Sequence, residues 1–180
     1  IDGGTGNDYI TGGSDRDTIR SSAGDNIVYA SEGQNYIETG AGNDSLYAGS
    51  GDDTILGGDG DNYVSAGECR NDITTGSGDD SILAGSGNDT ISAGDGDNYI
   101  NVGEGKNTIA SGIGDDTIMT GSGDDVIDAG DGNNTITAGE GRNTIDTGSG
   151  DDSITTGSDK DTISAGDGND SIDAGSGHNT

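Results

Sequence analysis

Every ninth residue from Ile1 to Ile172 is Ile, Leu or Val, and no insertion or deletion disturbs the count. The twenty positions run through Ile10, Ile19, Val28, Ile37 and Leu46 and onward. Two residues before each of them, from Asp8 and Asp17 through Asn26 and Asn35 to the end of the chain, sits Asp or Asn. A fixed short period of this kind belongs to a solenoid, in which each repeat is one rung and buries its apolar side chain only against its neighbours. The register settles the architecture before any single residue is weighed.

The composition agrees with that reading and excludes others. Hydrophobic residues make up 26% of the 180, with no Trp, Phe or Pro, against roughly 45–50% apolar in an ordinary globular domain. No thick core can be assembled from this inventory. Low hydrophobicity with a net charge of -29 would ordinarily mean disorder, yet disordered acidic tails do not hold apolar residues in strict phase. Both facts fit a chain that is unfolded alone and folds when cations neutralise it. Strong acidity argues against nucleic acid as a partner, since its binders carry basic patches. No stretch approaches the roughly 20 apolar residues of a membrane span. Cys69 is the lone cysteine, so no intramolecular disulfide framework exists.

Aligned in nines, the chain reads TGSGDDSIL, AGSGNDTIS, AGDGDNYIN, VGEGKNTIA from Thr75 to Ala110. The first six residues of each repeat read as a turn, with glycines at the second and fourth places allowing positive φ and close backbone approach. The last three, Thr90-Ile91-Ser92 for example, read as a short strand with a β-branched centre. Side chains alternate along a strand, so the Ile faces in and its neighbours face out. The first position of the next repeat also faces in, and it is Ala, Thr, Gly or Ser everywhere except Val102. Two repeats make an 18-residue coil with a strand on each face. About ten such coils, stacked at the inter-strand spacing of ~4.8 Å, give an all-β rod of roughly 45–50 Å.

The nonapeptide, closest to ideal at Gly3-Gly4-Thr5-Gly6-Asn7-Asp8-Tyr9-Ile10, resembles that of the RTX family of calcium-binding parallel β-rolls. The resemblance covers the whole chain and implies a single parallel β-roll over 1–180. In that family the sixth-position Asp and turn carbonyls of adjacent coils hold calcium. By position, the ligands the resemblance implies are Asp8, Asp17, Asp44, Asp53, Asp80, Asp89, Asp116, Asp125, Asp152, Asp161 and Asp170. Calcium suits such a cage, because it takes several hard oxygen donors in flexible geometry.

The chain departs from the simple pattern in a regular way. The sixth position runs Asp, Asp, Asn, Asn and repeats, so the unit is 36 residues and the chain holds five of them. Where the sixth position becomes Asn the third gains a carboxylate. Asp59, Asp95, Asp131 and Asp167, counted here as further candidate ligands, stand in one repeat of each unit, and Glu32, Glu68, Glu104 and Glu140 stand in the next. Alternate repeats share a face, so each side should stack Asp turn on Asn turn. With about nine gaps per side, filling every gap would carry the charge of -29 past neutrality. Two readings stay open: graded loading, with Asn replacing some ions, or Asn as a neutral oxygen ligand in every gap.

The fifth position carries Gln34, Arg70, Lys106, Arg142 and His178 at intervals of 36, predicting a column along one side of the rod. It reads either as local charge balance beside Glu68, Glu104 and Glu140 or as a contact line for an acidic rod or polysaccharide. Asp15-Arg16-Asp17 and Asp159-Lys160-Asp161 lack the second glycine and lie 144 residues apart. The seventh-position tyrosines Tyr9, Tyr36, Tyr63 and Tyr99 read as outward, β-favouring surface residues.

No position differs from all the others in the way an active site must, and His178 is the only histidine. The expectation is therefore no catalysis within these residues. The Asn- and Ile-rich form of the repeat is similar to long tracts in cyanobacterial surface proteins. The expected role is a calcium-stabilised structural module of a secreted or cell-surface protein. Residue 180 is a seventh position and residue 1 an eighth. A further copy would continue the phase, which predicts a longer array or self-association end to end into a filament. The alternatives are a folding and secretion module of an exoenzyme or adhesin, and an ice-binding roll. The varied third positions argue against the flat lattice an ice face needs.

Overall fold

The computed structural model describes residues 1–180. Its chain forms twenty short strands, from β1 (Asp2–Thr5) and β2 (Tyr9–Gly13) to β19 (Thr162–Ser164) and β20 (Ser171–Asp173). Odd strands build one ten-stranded sheet and even strands the other, each in plain sequential order. Every pairing is parallel and, except at register shifts such as Gly103 against Thr120, joins residues 18 apart, as where β10 (Ser81–Leu83) sets Ile82 against Ile100 of β12 (Tyr99–Gly103). This is the expected parallel β-roll of ten 18-residue coils. There is no helix, so none is long and apolar enough to cross a membrane.

The strand reading holds residue for residue where the repeat is most regular: Thr90–Ser92 is β11. Its centre, Ile91, is buried while Thr90 and Ser92 are exposed. The twofold alternation thus sends one side chain of each three-residue strand into the roll. Ile19, Ile37, Leu46, Ile55 and their counterparts as far as Ile154 form one continuous cluster with the small first-position residues Ala30, Ala48, Ala66 and Ala84. Val102, the one larger residue in that row, is fully buried as well. Each buried aliphatic side chain contributes roughly 1.5–3 kcal/mol, and the small first-position residues keep the two sheets close enough for these side chains to meet.

The turns are held open by glycine for two reasons at once. Gly105 has φ 132°, and a methyl group there would overlap the carbonyl oxygen of Gly87 in the coil before it. Three positions where the sequence substitutes this glycine or its partner nevertheless keep positive φ: Ser31 at 76°, Cys69 at 85° and Asp159 at 91°. L-residues cost about 1–2 kcal/mol in this region. Cys69→Gly is therefore expected to raise the stability of the folded roll by about 1 kcal/mol, and Gly105→Ala to lower it by more. Thermal unfolding in saturating calcium measures both; an unchanged Gly105→Ala protein would show that the coils can part without cost.

Candidate metal sites in the turns

Sixth, eighth and first positions share one parity, and the sixth-position side chain turns inward with the other two. Asp44, Asp53, Asn62, Asn71, Asp80 and Asp89 are each no more than 2% exposed. The sequence reading placed these residues in the turn; the structure puts their carboxyl and amide groups inside the roll, at the margin of the apolar interior. Each Oδ1 accepts the backbone N–H of the sixth residue one coil earlier. One column runs Asn62 N–H to Asp80 Oδ1 at 2.8 Å, Asp80 N–H to Asn98 Oδ1 at 3.1 Å, and Asn98 N–H to Asp116 Oδ1 at 2.8 Å. The other runs Asn71 to Asp89 at 2.8 Å, Asp89 to Asn107 at 3.0 Å and Asn107 to Asp125 at 2.8 Å. The bonds onto carboxylates are the shorter ones, as charge-assisted bonds are. Asp and Asn alternate up each column, as the 36-residue unit predicted.

Asp and Asn differ in what becomes of the second polar atom. Every Asn within the stack turns its Nδ2 back on its own turn and donates to the carbonyl two residues before it. Asn62 bonds Gly60 O at 2.8 Å, Asn98 bonds Gly96 O at 2.9 Å and Asn134 bonds Gly132 O at 3.1 Å. Several reach further carbonyls too: Asn98 also bonds Gly94 O at 3.4 Å and Ser111 O of the next coil at 3.2 Å. No side chain donates to the matching carbonyls of the Asp turns, Gly78 and Gly114 among them. In those turns the Oδ2 atoms of Asp44, Asp53, Asp80, Asp89, Asp116, Asp125, Asp152 and Asp161 are buried with no hydrogen-bond partner. A buried carboxylate oxygen without a partner is strongly disfavoured.

Burial accordingly pushes the carboxyls of Asp44, Asp53, Asp80, Asp89, Asp116 and Asp125 toward the protonated form. Those of Asp53 and Asp89 rise to about 6, desolvation outweighing the amide bonds they accept. Asp44, Asp80, Asp116 and Asp125 are raised for the same reason, tempered by backbone amides and by the nearby hydroxyls of Thr39, Thr75, Ser111 and Thr120. Those hydroxyls do not satisfy Oδ2. Thr39, Thr75 and Ser111 donate to Gly57, Ala93 and Ala129 carbonyls one coil on, at 2.8, 2.7 and 3.1 Å, and Thr120 Oγ1 has no partner.

The remaining candidates lie apart from these sites. Asp8, Asp17 and Asp170, in the outermost coils, are half-buried, and Asp17 Oδ2 accepts the Gly13 N–H at 2.7 Å. Asp59, Asp95, Asp131 and Asp167 are exposed. Three of these carboxylates tie their turn to the next coil: Asp59 Oδ1 accepts the N–H and hydroxyl of Ser77, both at 3.0 Å, Asp131 accepts those of Ser149, both at 2.8 Å, and Asp95 accepts the Ile113 N–H at 3.3 Å. Third- and sixth-position carboxylates are not brought together, and nowhere do three His, Cys, Asp or Glu side chains converge. Each Asp turn therefore offers one carboxylate and backbone oxygens.

Outside the roll, the fifth-position column is real and longer than its 36-residue spacing suggested. Arg16, Arg70, Lys106, Arg142 and Lys160 all fall on the edge that leads from even to odd strands, and none on the other. Arg142 pairs with Asp124 one coil earlier at 2.7 Å, rather than with Glu140. Both groups are substantially exposed, so the pair adds little stability. The opposite edge stacks Asp61, Asp79, Asp97 and Asp115 consecutively, each amide bonded to the carboxylate before it. On the outer face of the even sheet Tyr9, Tyr29, Tyr47 and Tyr63 form one row, with ring centroids 5.7, 4.6 and 5.6 Å apart. Ninth-position Tyr29 and Tyr47 complete a row that the seventh position alone did not show.

The chemistry of the donor set is that of a hard divalent cation: one ionised oxygen, several carbonyls and no nitrogen or sulfur. The unpartnered Oδ2 atoms supply the position such an ion would fill. No curated protein matches the chain. A family profile, however, matches at residues 2–37, 29–64, 74–109, 111–145 and 146–180, nearly the whole chain, and its description is the RTX calcium-binding nonapeptide repeat. With ten parallel coils, glycine turns and a sixth-position Asp or Asn in phase throughout, the chain belongs to the RTX calcium-binding repeat family.

Proposed function

We propose that this chain is a calcium-stabilised rod of a secreted or cell-surface protein, with a mechanical rather than a catalytic role. The observation that carries the reading is the set of eight buried, unpartnered carboxylate oxygens spaced along both edges of the roll. Asp44, Asp53, Asp80, Asp89, Asp116, Asp125, Asp152 and Asp161 would hold calcium through Oδ2, together with the carbonyls of their own turns. Bound calcium supplies the positive charge that makes those buried carboxylates favourable. Loops that grip calcium mainly through carbonyls and few carboxylates suit the roughly 10⁻⁴–10⁻³ M affinities of extracellular modules, which supports a location outside the cell. The repetition of one contact along the whole length supports a structural role. Each coil presents to the next the same row of amides and carbonyls, so the contact that joins β9 (Asp72–Thr75) to β11 can also join one rod to another end to end.

Circular dichroism tests the ion requirement. In chelator the chain is expected to give a disordered signal, and millimolar calcium is expected to restore the β signal, since binding free energy is then folding free energy. A fully folded roll in chelator at neutral pH would sink the reading. Electron microscopy of the calcium form shows whether rods join into filaments.

Acid should act oppositely with and without calcium. Carboxyls raised to about 6 in the fold, against 3.8 unfolded, bind protons more tightly in the folded chain. Stability of the metal-free roll should therefore grow as pH falls from about 6 toward about 4, and be lost as pH rises through that window. Calcium competes with those protons, so its apparent affinity should weaken over the same fall in pH. Dichroism at pH ~4.5 and ~7.5 in chelator checks the first effect; equal β content at both would contradict it.

A further inference from the structure

We propose that the Asn turns of this roll are closed by their own side-chain amides in place of an ion, so that calcium loads the Asp turns alone. The inference rests on the calcium reading above and adds which turns are loaded and how many ions the rod takes. Its basis is the difference between two side chains of equal shape in equivalent places. At Asn98 the amide nitrogen donates to the carbonyls of Gly94, Gly96 and Ser111. At Asn143 it donates to those of Ala138, Gly139 and Gly141, at 3.0, 3.4 and 3.2 Å. Those carbonyls converge on one point, and the NH₂ group occupies it. A cation seeking the same oxygens would meet two N–H dipoles with their positive ends outward. At Asp116 or Asp125 the matching point faces an unpartnered carboxylate oxygen instead.

The first position of the repeat supports the division independently. Five residues before an Asp the inward residue is often a hydroxyl, as at Thr39, Thr75, Ser111, Thr147 and Thr156, whereas before an Asn it is Ala, Val or Gly at every internal repeat but that of Ser21. Oxygen is placed beside the Asp turns and withheld from the Asn turns. The hydroxyl oxygens of Thr120, Thr147 and Thr156 are buried without partners beside Asp turns, like the carboxylates they precede.

Charge sets the same limit. Eight divalent ions would leave thirteen of the 29 net negative charges uncompensated, while one in each of twenty turns would reverse the sign of the rod.

Native mass spectrometry and isothermal titration of the full chain with calcium count the ions. The wild-type chain is expected to take eight, rising to eleven if the half-buried Asp8, Asp17 and Asp170 also load. A triple Asp80→Asn, Asp116→Asn, Asp152→Asn chain should take three fewer, keep its β signal in calcium and need less calcium to fold. The reverse triple, Asn62→Asp, Asn98→Asp, Asn134→Asp, should take three more and need more calcium. Uptake of about eighteen to twenty ions by the wild type, or an Asn triple that loses no ions or no longer folds in calcium, overturns the inference while leaving the calcium reading in place. No uptake at all overturns both.

Discussion

Everything in this roll depends on burying one polar side chain per turn in an interior too thin to hide it. The sixth residue shares the parity of the Ile that follows it, so it cannot point outward without the strand losing register. Once inside, its Oδ1 becomes the acceptor for an amide that the coil before it would otherwise leave unpaired. Such a bond is worth about 0.5–1.5 kcal/mol net, more when the acceptor is charged. The second polar atom sets the problem. As an amide it can be satisfied by the turn; as a carboxylate it needs a cation or a proton. The need for a cation or a proton is thus a consequence of register, and it arises only where Asp is chosen over Asn.

Alternation also manages repulsion up each column. Neighbouring coils lie ~4.8 Å apart, and two unit charges at that distance cost about 3.5 kcal/mol at an effective dielectric constant of 20. Placing Asn between the aspartates doubles the distance and halves the cost, to about 1.7 kcal/mol. The single break in the internal pattern is Asp152 followed by Asp170, and there the second carboxylate is only half-buried. The amide bonds keep the column continuous through both residue types, so dilution of charge does not interrupt the ladder.

Most of the architecture was legible because it follows from the nine-residue phase: Thr90-Ile91-Ser92 reads as a strand from its β-branched centre, and the 18-residue coil follows from two strands per turn of the roll. What the sequence reading missed came from treating positions one at a time. Parity extended back from Ile82 through Asp80 would have shown that the carboxylate faces in. Extended forward, it would have joined ninth-position Tyr29 and Tyr47 to Tyr9 and Tyr63 on one outer face. Counting in eighteens rather than thirty-sixes would have put Arg16 and Lys160, which are 144 residues and eight coils apart, in the same column as Arg70, Lys106 and Arg142. The third-position carboxylates were grouped with the sixth on charge alone, but Asp59 and Asp131 point to solvent and to the next serine. The destination of each Asn amide could not be read, since it depends on how the turn carbonyls converge in three dimensions.

The contrast between the inner and outer columns shows that environment, rather than charge itself, dictates the sequence pattern. On one edge Asp61, Asp79, Asp97 and Asp115 follow one another with no neutral residue between them, and Asp61, Asp79 and Asp97 each accept the amide of the coil after them, where the buried residues accept that of the coil before. The 18-residue spacing is the same in both columns. In water, however, the same pair of charges costs about 0.9 kcal/mol before salt screens it further, comparable with what the amide bond returns. A solvated ladder can therefore be built of aspartate alone, whereas a buried one must alternate with Asn or be neutralised. The 36-residue unit is the smallest repeat that lets both columns of a two-sided roll alternate at once: Asp, Asp, Asn, Asn along the chain becomes Asp on Asn at each edge.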